Sequence, residues 1–127
     1  MSTITTAELS IADVSRRTGV SAHTLRYYER IGLIEPVGRA GSGHRRYDAA
    51  DVRWVEVLTK LRRTGMPIRR MQEYAELVRA GDGNERARLE LLEAHRDEVR
   101  AQLEEVARHL EFIEHKIEIY QERTACH

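Results

Sequence analysis

From Leu89 onward a mostly apolar set of positions recurs at alternating intervals of three and four, at Leu89, Leu92, Arg96, Val99, Leu103, Val106, Leu110, Ile113, Ile117, Tyr120 and Thr124. Eight of the first ten positions are aliphatic, Arg96 and Tyr120 being the exceptions. Such alternation averages 3.5 residues per turn, the seam of a coiled coil, and is too apolar for a helix solvated on all sides. A helix over residues 84–121 extends about 57 Å at ~1.5 Å per residue. The remaining chain is too small to cover a stripe of that length, so the seam calls for a second copy. Leu89, Leu92, Val99, Leu103, Val106, Leu110, Ile113 and Ile117 are then the dimerisation residues, and Glu93, Arg100, Glu114 and Lys116 flank them where charge sets the pairing. The competing arrangement is a long helix folded back on its own domain.

The charge divides at the same place. Residues 1–79 hold 14 Lys and Arg against 9 Asp and Glu, a net +5, and residues 80–127 hold 7 against 12, a net −5, giving the overall zero. A basic front half supplies the electrostatic attraction that phosphate binding needs, and an acidic tail does not. No segment approaches the ~20 apolar residues of a membrane span and none near Met1 resembles a signal sequence, so we expect a cytoplasmic protein without membrane association. The single Cys126 cannot form an internal disulfide, in keeping with a reducing compartment.

Within the basic half, residues 21–36 read SAHTLRYYERIGLIEP. Ser21 is placed to cap a helix over Ala22 to Arg30 by accepting from the amide of Thr24, and Gly32 stops it. Leu25 and Tyr28 share one face, leaving His23, Thr24, Arg26, Tyr27 and Arg30 around the others. Upstream, Ser10 to Thr18 opens with a Ser-x-x-Asp capping signal and carries Arg16, and Gly19-Val20 makes a turn of the length a helix-turn-helix needs. Two short helices about a glycine turn imply that the second enters the major groove. Residues 1–9 are polar and expected to fray.

After Pro36, residues 37–47 combine three glycines with Arg39, His44, Arg45 and Arg46 before Tyr47. That composition suits an exposed hairpin, a wing, whose cations meet phosphates or a minor groove. The alternative for this stretch is a solvated loop. Asp48-x-x-Asp51 repeats the capping signal, and Val52, Val55, Leu58, Thr59 and Leu61 or Arg62 mark a third helix ending at Thr64-Gly65. Trp54 lies just off that stripe, as a packing anchor against the wing or the next helix. Pro67 fits the first turn of a fourth helix with Met71, Tyr74, Ala75 and Val78 inward as far as Gly81. The free amides of Ile68 and its neighbours, beside Arg69 and Arg70, are placed to hold a phosphate.

Three motifs carry a family resemblance: Thr24-Leu25-Arg26-Tyr27-Tyr28-Glu29 with Gly32-Leu33, Arg46-Tyr47 with Asp51-Val52, and Met66-Pro67-Ile68 with Met71. In these the chain resembles the MerR family of bacterial transcription regulators, in its short form without a separate effector domain, over residues 10–121. The resemblance implies a mainly α fold, a winged helix-turn-helix DNA-binding domain at 10–80 followed by a dimerisation helix at 84–121 that forms an antiparallel coiled coil, and a tail at 122–127. It also implies a homodimer on a pseudo-palindromic operator in promoter DNA, which it bends and untwists so that RNA polymerase can use a badly spaced promoter. By position, it places Thr24 and Arg26 toward bases and phosphates, the Tyr27 hydroxyl on the backbone, Arg45 or Arg46 with Tyr47 in the wing and its anchorage, and Tyr28 in the core. Ser21, His23, Arg30, Arg16, Arg39, His44, Ile68 and Arg69 complete the candidate DNA contacts.

The signal is less legible. Metal-sensing relatives carry a cysteine pair and drug-sensing ones a large appended domain, and this chain has neither. Cys126-His127, with His109, Glu111 and His115 upstream, offers one soft ligand per subunit, so no metal or other cofactor is expected. Cys126 is a candidate sensor thiol against the simpler reading of an inert exposed one. No grouping of nucleophile, base and orienting residue suggests an enzyme. The rival to a regulator is a DNA-architectural or excisionase-like winged-helix module, which would have little use for the heptad seam.

Overall fold

In the computed structural model, which describes residues 9–35 and 46–125, the chain forms five helices: α1 (Ile11–Thr18), α2 (Ala22–Arg30), α3 (Ala49–Arg63), α4 (Ile68–Ala80) and α5 (Glu85–Ala125). Two compact units divide between Arg88 and Leu89. No helix among the described residues is long and apolar enough to cross a membrane. Residues 37–45 of the stretch expected to form the wing, with Arg39, His44 and Arg45, lie outside the described residues, as does Cys126.

Local signals start and stop the short helices. Ser10 and Asp13 form a reciprocal box, Asp13 N donating to Ser10 Oγ at 3.1 Å and Ser10 N to Asp13 Oδ2 at 3.0 Å. Asp48 and Asp51 repeat it before α3 with both bonds at 2.9 Å. Each box satisfies two amides that a helix start otherwise leaves open, a device whose loss typically costs ~1 kcal/mol. Before α2, Thr24 N donates to Ser21 Oγ at 3.1 Å. Gly32, at φ +85°, ends that helix with Leu33 N on Tyr28 O at 2.8 Å and its own N on Glu29 O at 3.2 Å. This is the Schellman closure, which needs a residue that tolerates the left-handed region.

The core lies in the first unit. Val14 of α1, Leu25 of α2, Val55 and Leu58 of α3 and Met71 of α4 are fully buried, together with Leu33 and Met66 from the connections. The stripe expected on α3 is buried at Val52, Val55 and Leu58, whereas Arg62 turns out to solvent and its Nη1 donates to Met66 O at 3.1 Å. Trp54 is the expected anchor: its ring stacks on Tyr74 of α4 with centroids 5.9 Å apart.

Three boundaries differ from the sequence reading. Leu9 does not fray: it is buried and pairs with Tyr47 in an isolated antiparallel bridge, each amide on the other's carbonyl at 2.7 Å. One apolar residue ending a polar run had no periodicity to announce it. Pro67 precedes α4 as its cap instead of entering the first turn, a shift of one residue that leaves the role of its missing N–H unchanged. The long helix continues to Ala125, because residues 122–125 contain neither glycine nor proline to stop it.

Candidate nucleic-acid interface

α2 is fixed from behind and free in front. Leu25 and Tyr28 are 0% and 6% exposed, and burying two such side chains contributes roughly 1.5–3 kcal/mol each, so the helix has one seat on the core. Burial also raises the pKa of the Tyr28 phenol, with the Arg62 charge pulling the other way, and Tyr28 lies in the core as expected. The opposite face presents Ser21, His23, Arg26 and Arg30 to solvent, with Thr24 and Tyr27 half-buried at its margins. Arg30 holds its guanidinium 5.5 Å from the Tyr27 ring centroid, and Ser21 Oγ donates to Thr24 Oγ1 at 3.0 Å. These contacts pre-order the polar face before any partner arrives.

The turn that sets α2 against α1 is short because Gly19 takes φ +78°, its amide donating to Ser15 O at 2.8 Å. Thr18 seals it: its hydroxyl donates to Val14 O at 2.8 Å and accepts from Val20 N at 3.2 Å. On α1, Arg16 is ion-paired with Asp13 and still largely exposed.

α4 adds a different kind of group. Unlike α1, α2 and α3 it has no side-chain cap among the described residues, which leaves the amides after Pro67 without one, and Arg69 stands exposed beside half-buried Ile68. Open amides at a helix start with a cation next to them favour an anion. Arg46 is exposed, whereas Tyr47 is 1% exposed, a burial that suits the anchorage the resemblance implies for it.

Sequence reading missed what holds the far end of α2. Three consecutive carbonyls beyond it are each bound by a side chain from another helix. Gln72 Nε2 of α4 donates to Ile31 O at 2.8 Å, Arg79 Nη2 of α4 to Gly32 O, and Trp54 Nε1 of α3 to Leu33 O at 2.7 Å. Arg79 also pairs with Glu35, Nε to Oε1 at 3.3 Å. Gln72 and Arg79 stand seven residues apart on α4, hence on one face, but nothing in the sequence says that the face meets these carbonyls.

On α5 the seam is open in the single chain. Leu89, Leu103, Val106, Leu110, Ile113 and Ile117 are each about half exposed or more, Leu103 reaching 63%, and Leu92 and Val99 are half-buried. Among the described residues no group of three or more His, Cys, Asp or Glu is arranged to hold a metal.

A helix with an exposed basic and polar face, held across a glycine turn by a partner helix, defines a helix-turn-helix protein. The family model described as "MerR HTH family regulatory protein" matches residues 9–77, and the chain belongs to that family. It is 36% identical over 114 residues to a Haemophilus influenzae protein described as an uncharacterized HTH-type transcriptional regulator, covering 90% of this chain and 84% of that one. It is 44% identical over 84 residues to the HTH-type transcriptional regulator AdhR of Bacillus subtilis, where the match spans 66% of this chain and 60% of AdhR. Among solved structures it resembles HiNmlR, a MerR family regulator lacking the sensor domain and bound to promoter DNA, with TM-score 0.83 and 34% identity over 94% of this chain and 95% of that one. A MerR family transcriptional regulator from Listeria monocytogenes gives TM-score 0.84 at 40% identity, covering 89% and 86%.

Proposed function

We propose that this protein is a transcription regulator that binds a pseudo-palindromic promoter operator as a homodimer and distorts the DNA for RNA polymerase. In this reading residues 10–80 form the DNA-binding domain and residues 84–121 carry the dimerisation seam. The chain has no catalytic role and works in the cytoplasm, where its DNA is. The observation that carries the proposal is the polar face of α2, with Arg26 and Arg30 exposed above the buried Leu25 and Tyr28. Arginines on a rigid helix can grip guanine edges or phosphates in a major groove. The promoter DNA bound by HiNmlR supports the same partner here.

Dimerisation follows from the apolar stripe along α5. Half-exposed leucine and isoleucine at heptad spacing on a charged helix are stable in water once a second helix covers them. Two heads joined through such a coil would each take one half-site, and a change in the angle between them would become a change in DNA twist. Thr24, Tyr27, Arg46 and the amides at Ile68 and Arg69 then hold phosphates that keep the register.

Selection of retained fragments from random duplex, followed by titration at fixed salt, tests the reading. An inverted repeat bound well above random duplex, by a species that sediments as a dimer, is the expected result. A monomer at micromolar concentration with no preference among sequences would return the protein to the architectural class.

A further inference from the structure

Beside the three bound carbonyls lies a cavity of about 220 Å³ between the end of α2, the start of α3 and the second half of α4. Its apolar lining residues include Ile34, Trp54, Ala75 and Val78, and its charged ones are Glu35, Asp51 and Arg79. A dry cavity of ~150 Å³ takes a benzene ring, so this one has room for a single ring with a short polar arm. Few polar groups set in an apolar wall are the usual make-up of a small-molecule site.

Charge decides which polar arm fits. Arg79 is already engaged, by Gly32 O and by Glu35 Oε1. The lining thus carries two acidic residues against one committed cation, and its net negative charge disfavours an incoming anion. Burial raises the pKa of Asp51 against the hydrogen bond from Asp48 N, which lowers it, and the negative charges of Asp48 and Glu35 add to the rise, a crowding of charge that a cation relieves.

We infer that this cavity is a binding site for a small aromatic molecule carrying an amine, and that its occupation loosens the hold of α3 and α4 on the end of α2. The coupling follows from shared parts. Trp54 is both a wall of the cavity and the donor to Leu33 O, and Arg79 is both a lining residue and the donor to Gly32 O. An ammonium against Glu35 competes with Arg79 for that carboxylate and weakens its grip on the segment that ends the helix. Ligands act on an equilibrium in this way, through differential contact with its two states. The binding step stands on its own, and only the consequence for DNA rests on the reading of α2 as the groove helix.

The chain has one tryptophan, so its fluorescence reports this cavity directly. The full-length protein is titrated with benzylamine, and with benzoate as a probe of like shape and opposite charge. The expected result is a saturable change in Trp54 emission with benzylamine alone. It should weaken markedly in Val78→Phe, which fills the cavity, and in Glu35→Gln, whose exposed side chain can change without unfolding the protein; circular dichroism checks the fold of both. Saturating benzylamine should also raise the Kd for the selected operator several-fold over benzoate at equal ionic strength. Absence of a saturable change, an equal response to benzoate, unaltered binding by both variants, or an unchanged operator Kd at saturation each overturns the proposal. Failure to bind any operator without a probe instead overturns the reading of α2, and the emission titration still decides the site.

Discussion

The indole Nε1 of Trp54 donates to the carbonyl oxygen of Leu33 at 2.7 Å, tying the first half of α3 to the chain just past the end of α2. With Gln72 on Ile31 O and Arg79 on Gly32 O, it makes the exit of α2 a junction of three helices. Buried Leu25 and Tyr28 hold α2 down on the core, and these three donors set its direction.

Trp54→Phe keeps an aromatic ring against Tyr74 but removes the donor to Leu33 O. Leaving a part-buried carbonyl without its partner costs ~1–3 kcal/mol, so the urea midpoint should fall with the slope unchanged. An unaltered midpoint would mean that water replaces the indole at no cost.

Arg26→Ala should weaken operator binding by ~1–3 kcal/mol at fixed salt. The salt dependence then separates two roles for the guanidinium. A phosphate contact lowers the slope of log K against log salt by about one, whereas a base contact leaves the slope and relaxes the sequence preference. Affinity equal to wild type would remove Arg26 from the contacts.

Leu110 sits mid-seam on α5 and is 51% exposed in the single chain. If a second helix covers it, Leu110→Ala removes a buried side chain twice per dimer, at ~2–5 kcal/mol each. Sedimentation should show dissociation at concentrations where wild type stays dimeric. Unchanged association would place the interface elsewhere.

Acid should act on the two capping boxes in opposite senses. The Asp13 pKa is lowered, chiefly by the backbone hydrogen bond from Ser10 and then by its side-chain bond, with Arg16 and Arg17 adding to the effect. Its stabilising contribution is therefore complete above the ordinary aspartate pKa and is lost as pH falls through that value toward the lower folded one. Asp51 is raised, chiefly by burial, so its ionisation opposes folding as pH rises through the ordinary value. Urea midpoints measured across the acid range should show Asp13→Asn flattening the loss on acidification and Asp51→Asn leaving it or steepening it. The same change in both variants would contradict the assignment.

Much of this was legible because the signals are local. The boxes at Ser10 and Asp48 and the Ser21 cap involve partners three residues apart, and chain propensity settles such pairs without reference to the rest of the fold. The heptad seam was equally readable, since its spacing needs only helical periodicity. The polar face of α2 followed once Leu25 and Tyr28 were assigned inward. The pairing of Leu9 with Tyr47 did not, because a bridge across 38 positions rests on backbone groups and not on side-chain pattern.

What the chain's own order of residues determined was where helices begin and end, which faces are apolar, and that the front is basic and the back is not. Only the tertiary structure decided which distant donors meet which carbonyls. Gln72 lies 41 residues from Ile31 and Arg79 lies 47 from Gly32. An orphan carbonyl at a helix end accepts from any donor that reaches it, so the choice belongs to the packing of α3 and α4 against α2. The same packing left the cavity beside Trp54, which no spacing in the sequence announces.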